Sequence, residues 1–243
     1  MKSVFPPIFV ISLSRETERR AAMEAELVGY DTEFFIAIDG NELDEEAYNH
    51  RLQPEWWRRM RGREMSPGEI GCFLSHYSLW ERIVDDKIPY AIILEDDARL
   101  QYKFSAAIEE ILLAKVSWDF VSLSPKRRYP ADRALAYLGD GRSLVRVSRR
   151  FGGLVGYLIR REGAEILLHY CWPIRAPIDW LHAEWWHNGL RLYAVEPAIV
   201  RHANLPSTIR ALPRVRRSLL GHIAAKFYRW SDRLHLRAAR QRD

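Results

Sequence analysis

The chain has 243 residues, 48% of them hydrophobic, which suits one large α/β domain, with or without a small appendage, and excludes disorder across its main body. Its formal charge of +5 is unevenly spread: residues 201–243 hold eleven Lys or Arg against two acids, for +9, and residues 1–200 carry −4. A mildly acidic body thus ends in a single-sign basic tail, a feature that concerns partners rather than fold.

The opening "MKSVFPPIFVISLSRETERR" has a short apolar stretch, broken by Pro6 and Pro7 and followed at once by charge. It reads as a first strand, "PIFVISL", ending at Leu13, not as a signal peptide. "RETERRAAMEAELVGY" is rich in good helix formers. "TEFFIAID" is a second strand, closed by the turn pair Asp39-Gly40. Residues 41–65 are polar, partly helical and broken at Pro54, with Trp56 and Trp57 placed to pack or to sit beside a substrate. Ser66, Pro67 and Glu69 then give a capping box with a proline start. They open a helix whose apolar side carries Ile70, Phe73, Leu74, Tyr77 and Trp80.

The strand "YAIIL" follows, then the helix "FSAAIEEILLAKV" and the strand "WDFVSLS". "RRYPADRALAYLGDGRS" reads as an irregular connection. "SLVRVS" and "GGLVGYLIR" are strands, "REGAEILLHYC" is a helix, "PIDWLHAEWWHNG" runs from an acid into helix, and "LRLYAVEPAIV" returns to strand. Strand–helix alternation of this kind predicts an open α/β sheet with helices on its faces. No run approaches 18 apolar residues, so a transmembrane helix is not expected. Cys72 and Cys171 stand far apart in apolar surroundings, as core thiols of a reducing compartment do, and a cytoplasmic location is expected.

"YAIILEDDARL" delivers Glu95, Asp96 and Asp97 to the end of a buried strand. In open α/β sheets, ligands bind beyond the carboxyl ends of the strands. Carboxylates held close repel one another unless a cation joins them. A hard divalent ion, Mg²⁺ or Mn²⁺, fits that need and would meet a phosphorylated substrate. Helix capping and salt bridging are the alternative uses of such acids. "FGGLVG" lacks the dinucleotide fingerprint, so no nicotinamide site is read there.

"ISLSRETERR", "AIDG", "SPGEIGCFLSHYSLW", "YAIILEDDARL", "FGGLVGYLIRREGAEILL" and "APID", in this order, resemble glycosyltransferase family 25 from about residue 8 to about residue 205. This family includes bacterial lipooligosaccharide galactosyltransferases and collagen galactosyltransferases. The departures are Arg150 and Arg160, where proline and serine are expected, and a loosely matching "PAIVRHANLPSTI".

The resemblance implies an α/β, GT-A-like single domain over residues 1–210, with a mixed, mostly parallel open sheet flanked by helices; the charge pattern sets a basic helical tail over 211–243 apart from it. It implies inverting transfer of a hexose, galactose from UDP-galactose first, to a lipooligosaccharide- or lipopolysaccharide-type glycan. Mn²⁺ or Mg²⁺ would be held at Glu95 and Asp97, which an extended backbone points to one side, with His202 either completing the sphere or standing as a surface histidine in a basic stretch. Asp96, on the other side, would hold ribose or a metal-bound water. Arg15 and Arg19, and Arg20 with them, would meet the diphosphate or steady the loop around the uracil, an exposed basic patch being their other reading, and the uracil would stack near Leu13. Glu69 caps its helix or contacts the donor; His76 meets substrate, orients the acids or is a core-edge histidine. Gly152 and Gly153, with Gly156, let the backbone pass close to the sugar nucleotide or take unusual dihedrals, with plain strand packing as their other reading. Inverting transfer needs a base: Asp179 leads, with donor-sugar contact and helix capping as its other readings, and Glu184 is the reserve. One or two of Trp180, Trp185 and Trp186 would floor the acceptor pocket.

In the tail, Leu219, Leu220, Ile223, Phe227, Trp230 and Leu234 form an apolar stripe with the bases mainly off it. This suits an interfacial helix on an anionic membrane, where a lipid-linked acceptor is found; a helix packed on the domain is the alternative. Removing residues 214–243 is then expected to lower membrane co-sedimentation without abolishing donor hydrolysis. No module points to nucleic acid. The competing functions are a metal-dependent phosphohydrolase, which would want an Asp-x-Asp-x-Thr arrangement that "EDDAR" lacks, and a catalytically silent nucleotide-sugar-binding protein.

Overall fold

The computed structural model describes residues 5–44, 51–126, 129, 134–150, 152–203, 212 and 219–241. Ten strands and eight helices are named among them. In chain order these are β1 (Ile8–Ser12), α1 (Thr17–Glu26), β2 (Thr32–Ile36), α2 (Pro54–Arg61), α3 (Pro67–Asp85), β3 (Tyr90–Glu95), β4 (Ala98–Leu100), α4 (Phe104–Leu113), β5 (Phe120–Ser122), β6 (Ala134–Tyr137), β7 (Ser143–Arg146), β8 (Gly156–Arg160), α5 (Arg161–Cys171), α6 (Ile178–Leu181), α7 (Trp185–Asn188), β9 (Leu192–Glu196), β10 (Val200–His202) and α8 (Leu219–Gln241). Phe151 and the 210/211 boundary fall outside the described residues, as do the side chains of Leu219 and Leu220.

Eight strands form one sheet in the order β2-β1-β3-β8-β5-β9-β7-β6. β2, β1, β3, β5, β9 and β6 run one way, and β8 and β7 run the other. This is the expected mixed sheet flanked by helices. Its central strands are buried on both faces, which is why they read as continuous apolar runs. Alternation sorts them into two cores: Phe9, Ile11, Ala91, Ile93, Phe120, Tyr157 and Ile159 face α3 and α5. Ile8, Val10, Ile92, Leu94, Val121 and Leu158 face α1 and α4, meeting Met23, Ile108 and Ile111.

The capping box is present. Ser66 Oγ accepts from the Glu69 N–H, and Glu69 Oε2 accepts from the Ser66 N–H at 2.9 Å. Both groups satisfy orphan helix donors, so Ser66→Ala is expected to cost about 1 kcal/mol of stability, read as a lower denaturation midpoint at an unchanged m-value. An unchanged midpoint would show that the cap is redundant. A Cβ on Gly71 would lie 2.5 Å from the Ile38 carbonyl oxygen. Glycine therefore lets α3 press its first turns against the backbone that follows β2, and Ser75 Oγ fastens the contact by accepting from the Ile38 N–H at 2.8 Å.

Three expectations need correction. Residues 134–137 are not irregular: β6 pairs antiparallel with β7, a pairing that a short, half-buried edge segment does not advertise. "PIDWLHAEWWHNG" is two four-residue helices, α6 and α7, because residues 182–184 leave the helix between them. "LRLYAVEPAIV" divides at Pro197, which cannot donate to a ladder; β9 joins the main sheet and β10 pairs with β4 in a separate two-stranded sheet.

The tail helix α8 lies against α2 and α7. Its inner face brings Ala225, Tyr228 and Asp232 to the domain, with Tyr228 edge-on to Trp56 at 5.0 Å. Arg150, one of the two departures, explains the docking: its guanidinium bridges Glu184 at 2.5 Å and Asp232 at 3.3 Å while lying over the Trp180 ring. Arg160, the other, lies over Trp118 at 4.4 Å.

Candidate active site

β1, β2, β3 and β5 all end at one edge of the sheet, and the reversed β8 begins there. A cleft of about 380 Å³ opens at that edge. It is lined by Leu13, Arg15 and Arg19 from the end of β1 and α1, Asp39 after β2, Glu69, Cys72 and His76 on α3, Glu95–Asp97, Lys126 after β5, Gly153 before β8, Asp179 on α6 and His202 on β10. Twelve of the thirteen candidate residues from the sequence are at or beside it, with Gly152 set just behind Gly153; Glu184 is elsewhere.

Asp97 is 7% exposed. β10 pairs with β4 so that His202 falls opposite Ala98, which puts its Nε2 2.9 Å from Asp97 Oδ2. The other oxygen, Oδ1, is buried with no hydrogen-bond partner among the described atoms. Burial, and then the nearby Glu95 charge, hold the Asp97 carboxyl above its ordinary range, against the opposing pull of His202. A buried, partnerless carboxylate oxygen beside an imidazole fits a hard or borderline divalent cation that keeps several waters.

Glu95 lies close to that pair, its charge being one of those that raise Asp97, but not through the extended geometry expected. β3 ends at Glu95 and a turn over 96–97 leads into β4, so the alternation of an extended chain does not apply to the trio. Among the described residues, the three-ligand set with donor atoms within 4.8 Å of one another is Cys72, His76 and Glu95. Asp96 is fixed on both oxygens: Ser12 Oγ donates to Oδ2 at 2.8 Å, and Arg19 donates to Oδ1 at 3.0 Å. Arg15 pairs with Asp39. The two arginines expected at a diphosphate are therefore held by acids of the cleft itself. Arg20 lies over the Phe34 ring.

Glu69 combines its cap role with a two-pronged ion pair to Arg63, both contacts 2.6 Å. His76 is buried, with Nδ1 2.9 Å from the Tyr157 hydroxyl and Nε2 3.7 Å from Glu95 Oε1. It is a buried histidine standing beside one of the three acids, Glu95.

Asp179 does not cap α6: the N-cap is Pro177, with no side-chain cap bond. The backbone N–H of Gly153 lies against its carboxylate and favours the charged form. Gly153 has φ +96°, and a Cβ there would meet Lys126 Cε at 2.5 Å, while a Cβ on Gly152 would lie 3.3 Å from Asp179 Oδ2. The glycine pair thus lies close against the acid, and the left-handed φ of Gly153 is what calls for glycine there. Burial, then Glu69 and Glu95, raise the Asp179 carboxyl; Lys126 opposes them. Such tuning suits a general base.

Glu184 is buried behind the site. It accepts from Arg150, from the Tyr170 and Tyr228 hydroxyls at 2.7 and 2.8 Å, and from Trp180 Nε1 at 3.2 Å. An acid with these partners anchors α8 and has no opening to the cleft. Trp180, Trp185 and Trp186 belong to the same wall, not to the cleft lining. The sequence points to no place in the cleft for Lys126 or Ser12, and it marks Asp39 only as a turn residue and Cys72 only as a core thiol. Lys126 carried a usable signal, a charged residue just past a buried strand, the argument already applied to 95–97.

Residues 5–182 match the family model described as Glycosyltransferase family 25 (LPS biosynthesis protein). The chain is 31% identical over 176 residues to Procollagen galactosyltransferase 2 of Homo sapiens, covering 69% of this chain and 28% of that protein. It is 36% identical over 169 residues to a Glycosyltransferase 25 family member of Anopheles gambiae, covering 66% and 28%. Over 221 residues it is 29% identical to the Rattus norvegicus protein named Probable inactive glycosyltransferase 25 family member 3, covering 82% and 38%. The chain therefore spans 28 to 38% of the length of these relatives. Among solved structures, a glycosyltransferase involved in the glycosylation of the major capsid of PBCV-1 aligns with a TM-score of 0.44 at 10% identity, covering 84% of this chain and 95% of that one.

Proposed function

The chain belongs to glycosyltransferase family 25, and from that membership and the cleft we propose that it transfers a hexose with inversion from a UDP-sugar to a glycan hydroxyl. The donor is UDP-galactose, which the name of the human relative supports. The acceptor is a lipooligosaccharide- or lipopolysaccharide-type glycan, which the description of the family model supports. The observation that carries the reading is one cleft holding both a buried, partnerless carboxylate oxygen at Asp97 and a raised carboxyl at Asp179.

Asp97 and His202 would hold Mn²⁺ or Mg²⁺. When bound, such an ion supplies positive charge where a diphosphate leaves. Asp96, tied to β1 and α1 through Ser12 and Arg19, keeps the acidic turn in place. Asp179 takes the proton from the acceptor hydroxyl as that oxygen attacks the anomeric carbon. Lys126, beside Asp179, adds positive charge to that side of the cleft.

The test is UDP release from a panel of UDP-sugars, with Mn²⁺ and then with EDTA, since slow donor hydrolysis needs no acceptor. Release from one sugar that stops with EDTA is the expected result. No release combined with no binding of any nucleotide sugar by calorimetry would sink the reading. A catalytically silent sugar-nucleotide binder is the second reading, favoured by the word inactive in the name of the rat relative. Its signature is UDP binding without turnover. The phosphohydrolase alternative has no comparable support.

The tail extends the proposal to location: a cytoplasmic enzyme peripheral on the inner membrane, near a lipid-linked acceptor. Ile223, Phe227, Trp230 and Leu234 are 56, 65, 58 and 42% exposed. At 100° per residue they share one narrow arc, opposite the inner face of Ala225, Tyr228 and Asp232. Lys226, Arg233 and Arg237 are exposed and flank that arc on one side. The packed-helix and interfacial readings are thus compatible: one face docks on the domain and the other is offered to an anionic surface.

Deleting 214–243 would strip Tyr228 and Asp232 from Arg150 and Glu184, so a point variant is the cleaner probe. A fully buried large apolar side chain contributes roughly 1.5–3 kcal/mol, so Phe227→Ser with Trp230→Ser is expected to lower affinity for anionic vesicles at least about tenfold. Co-sedimentation reads this, with UDP release unchanged; equal sedimentation of both forms would refute the membrane role.

A further inference from the structure

Cys72 and His76 are four residues apart on α3, so one helical face presents both side chains, and Glu95 reaches them from the end of β3. Their donor atoms lie within 4.8 Å of one another, and all three residues line the cleft. The His76 ring is fixed from behind. Its Nδ1 is 2.9 Å from the Tyr157 hydroxyl, which in turn accepts from Trp80 Nε1 at 3.0 Å. Both Tyr157 and Trp80 are fully buried. An imidazole held through one nitrogen by a second residue is how proteins aim the other nitrogen at a metal. Here the other nitrogen, Nε2, stands 3.7 Å from Glu95 Oε1. That is too far for a hydrogen bond. It is close to the edge of a zinc coordination tetrahedron, roughly 3.3–3.8 Å for bonds of about 2.0–2.3 Å.

We propose that Cys72, His76 and Glu95 form a site for a thiophilic divalent cation of the Zn²⁺ class, separate from the Asp97–His202 position. The donor set makes the distinction. One sulfur, one imidazole nitrogen and one carboxylate oxygen select Zn²⁺ or a similar borderline-soft ion, whereas Mg²⁺ and Mn²⁺ favour oxygen ligands. Three protein ligands leave a fourth position, and the cleft supplies it with water or an anionic group of a ligand. The entering ion displaces the Cys72 thiol proton to solvent. It places positive charge beside the acids at 95–97 and takes Glu95 as its own ligand, so the two cation positions draw on different residues of one cleft. The proposal concerns binding and does not depend on the transferase reading.

The full chain, freed of metal with chelator, is titrated with Co²⁺ as a spectroscopic stand-in for Zn²⁺. One equivalent is expected to produce a sulfur-to-cobalt charge-transfer band with the visible bands of a four-coordinate ion, and Zn²⁺ is expected to abolish both. Cys72→Ser, a near-isosteric change on a half-buried position, is expected to remove the charge-transfer band and to weaken Zn²⁺ binding at least about tenfold. Cys171→Ala and Asp97→Asn are expected to retain the band, which separates this site from the other thiol and from the other cation position. No charge-transfer band in the wild type overturns the proposal, and so does a band that survives Cys72→Ser. Circular dichroism of each variant identifies any loss due to unfolding. Failure of the transferase reading would appear in UDP release and would leave these spectra unchanged.

Discussion

Asp97→Asn is expected to lower metal-dependent UDP release by roughly 10³-fold, since several kcal/mol of charge stabilisation is at stake and each decade is about 1.4 kcal/mol. Asparagine keeps the shape of the side chain and its place beside His202, but loses the charge. The side chain is buried, and one of its oxygens has no hydrogen-bond partner among the described residues. That oxygen is buried without a hydrogen bond among the described residues, an arrangement proteins rarely keep without a use. Removing the charge also relieves the repulsion with Glu95 and the burial penalty that raise the Asp97 carboxyl. The variant is therefore expected to fold at least as stably as the wild type while failing to turn over donor. Thermal denaturation and UDP release, measured on the same preparation, separate the two effects. Full Mn²⁺-dependent release by the variant would remove Asp97 from the site. Asp96→Asn supplies the contrast, because Asp96 spends both oxygens on Ser12 and Arg19; its loss is expected to reduce stability as well as rate.

Asp179→Asn is expected to reduce acceptor-dependent transfer by roughly 10²- to 10⁴-fold, the contribution of a positioned general base, with donor affinity changed little. The pH dependence follows from the raised carboxyl. A base works when deprotonated, so transfer in the wild type rises with pH as Asp179 loses its proton. Burial and the charges of Glu69 and Glu95 place that rise above the ordinary carboxylate range, which is about 3.9 for Asp. The variant is expected to lose this limb of the profile. Should donor affinity fall in step with rate, Asp179 would be a ligand of the donor sugar instead. The third reading, a helix cap, is already answered by Pro177 at the N-cap of α6.

Much of this site was legible before any coordinates because its signals are local. An apolar strand ending in three acids, a Ser-Pro-x-Glu helix start and a glycine pair before a strand each declare themselves within a few residues. The same holds for the strand–helix order: side-chain periods of 2 and 3.6 are properties of the chain itself, and the central strands are apolar enough to require cover on both faces.

What the tertiary structure decided is everything that depends on which distant segments become neighbours. The reversed direction of β8 brings Gly153 to the edge where β1 and β3 end, and so sets it against Asp179. The pairing of β10 with β4 places His202 at Asp97, while the packing of α3 on the sheet brings Cys72 and His76 to Glu95 at the end of β3. Glu184 looks like a spare base in the sequence and is an anchor in the fold, because Arg150 and the tail helix reach it from far along the chain. In the tail, the apolar stripe was plain in the sequence, but periodicity cannot say which face of a helix meets the domain. Tyr228 and Asp232 decide that by finding buried partners, and their docking leaves Phe227 and Trp230 facing out.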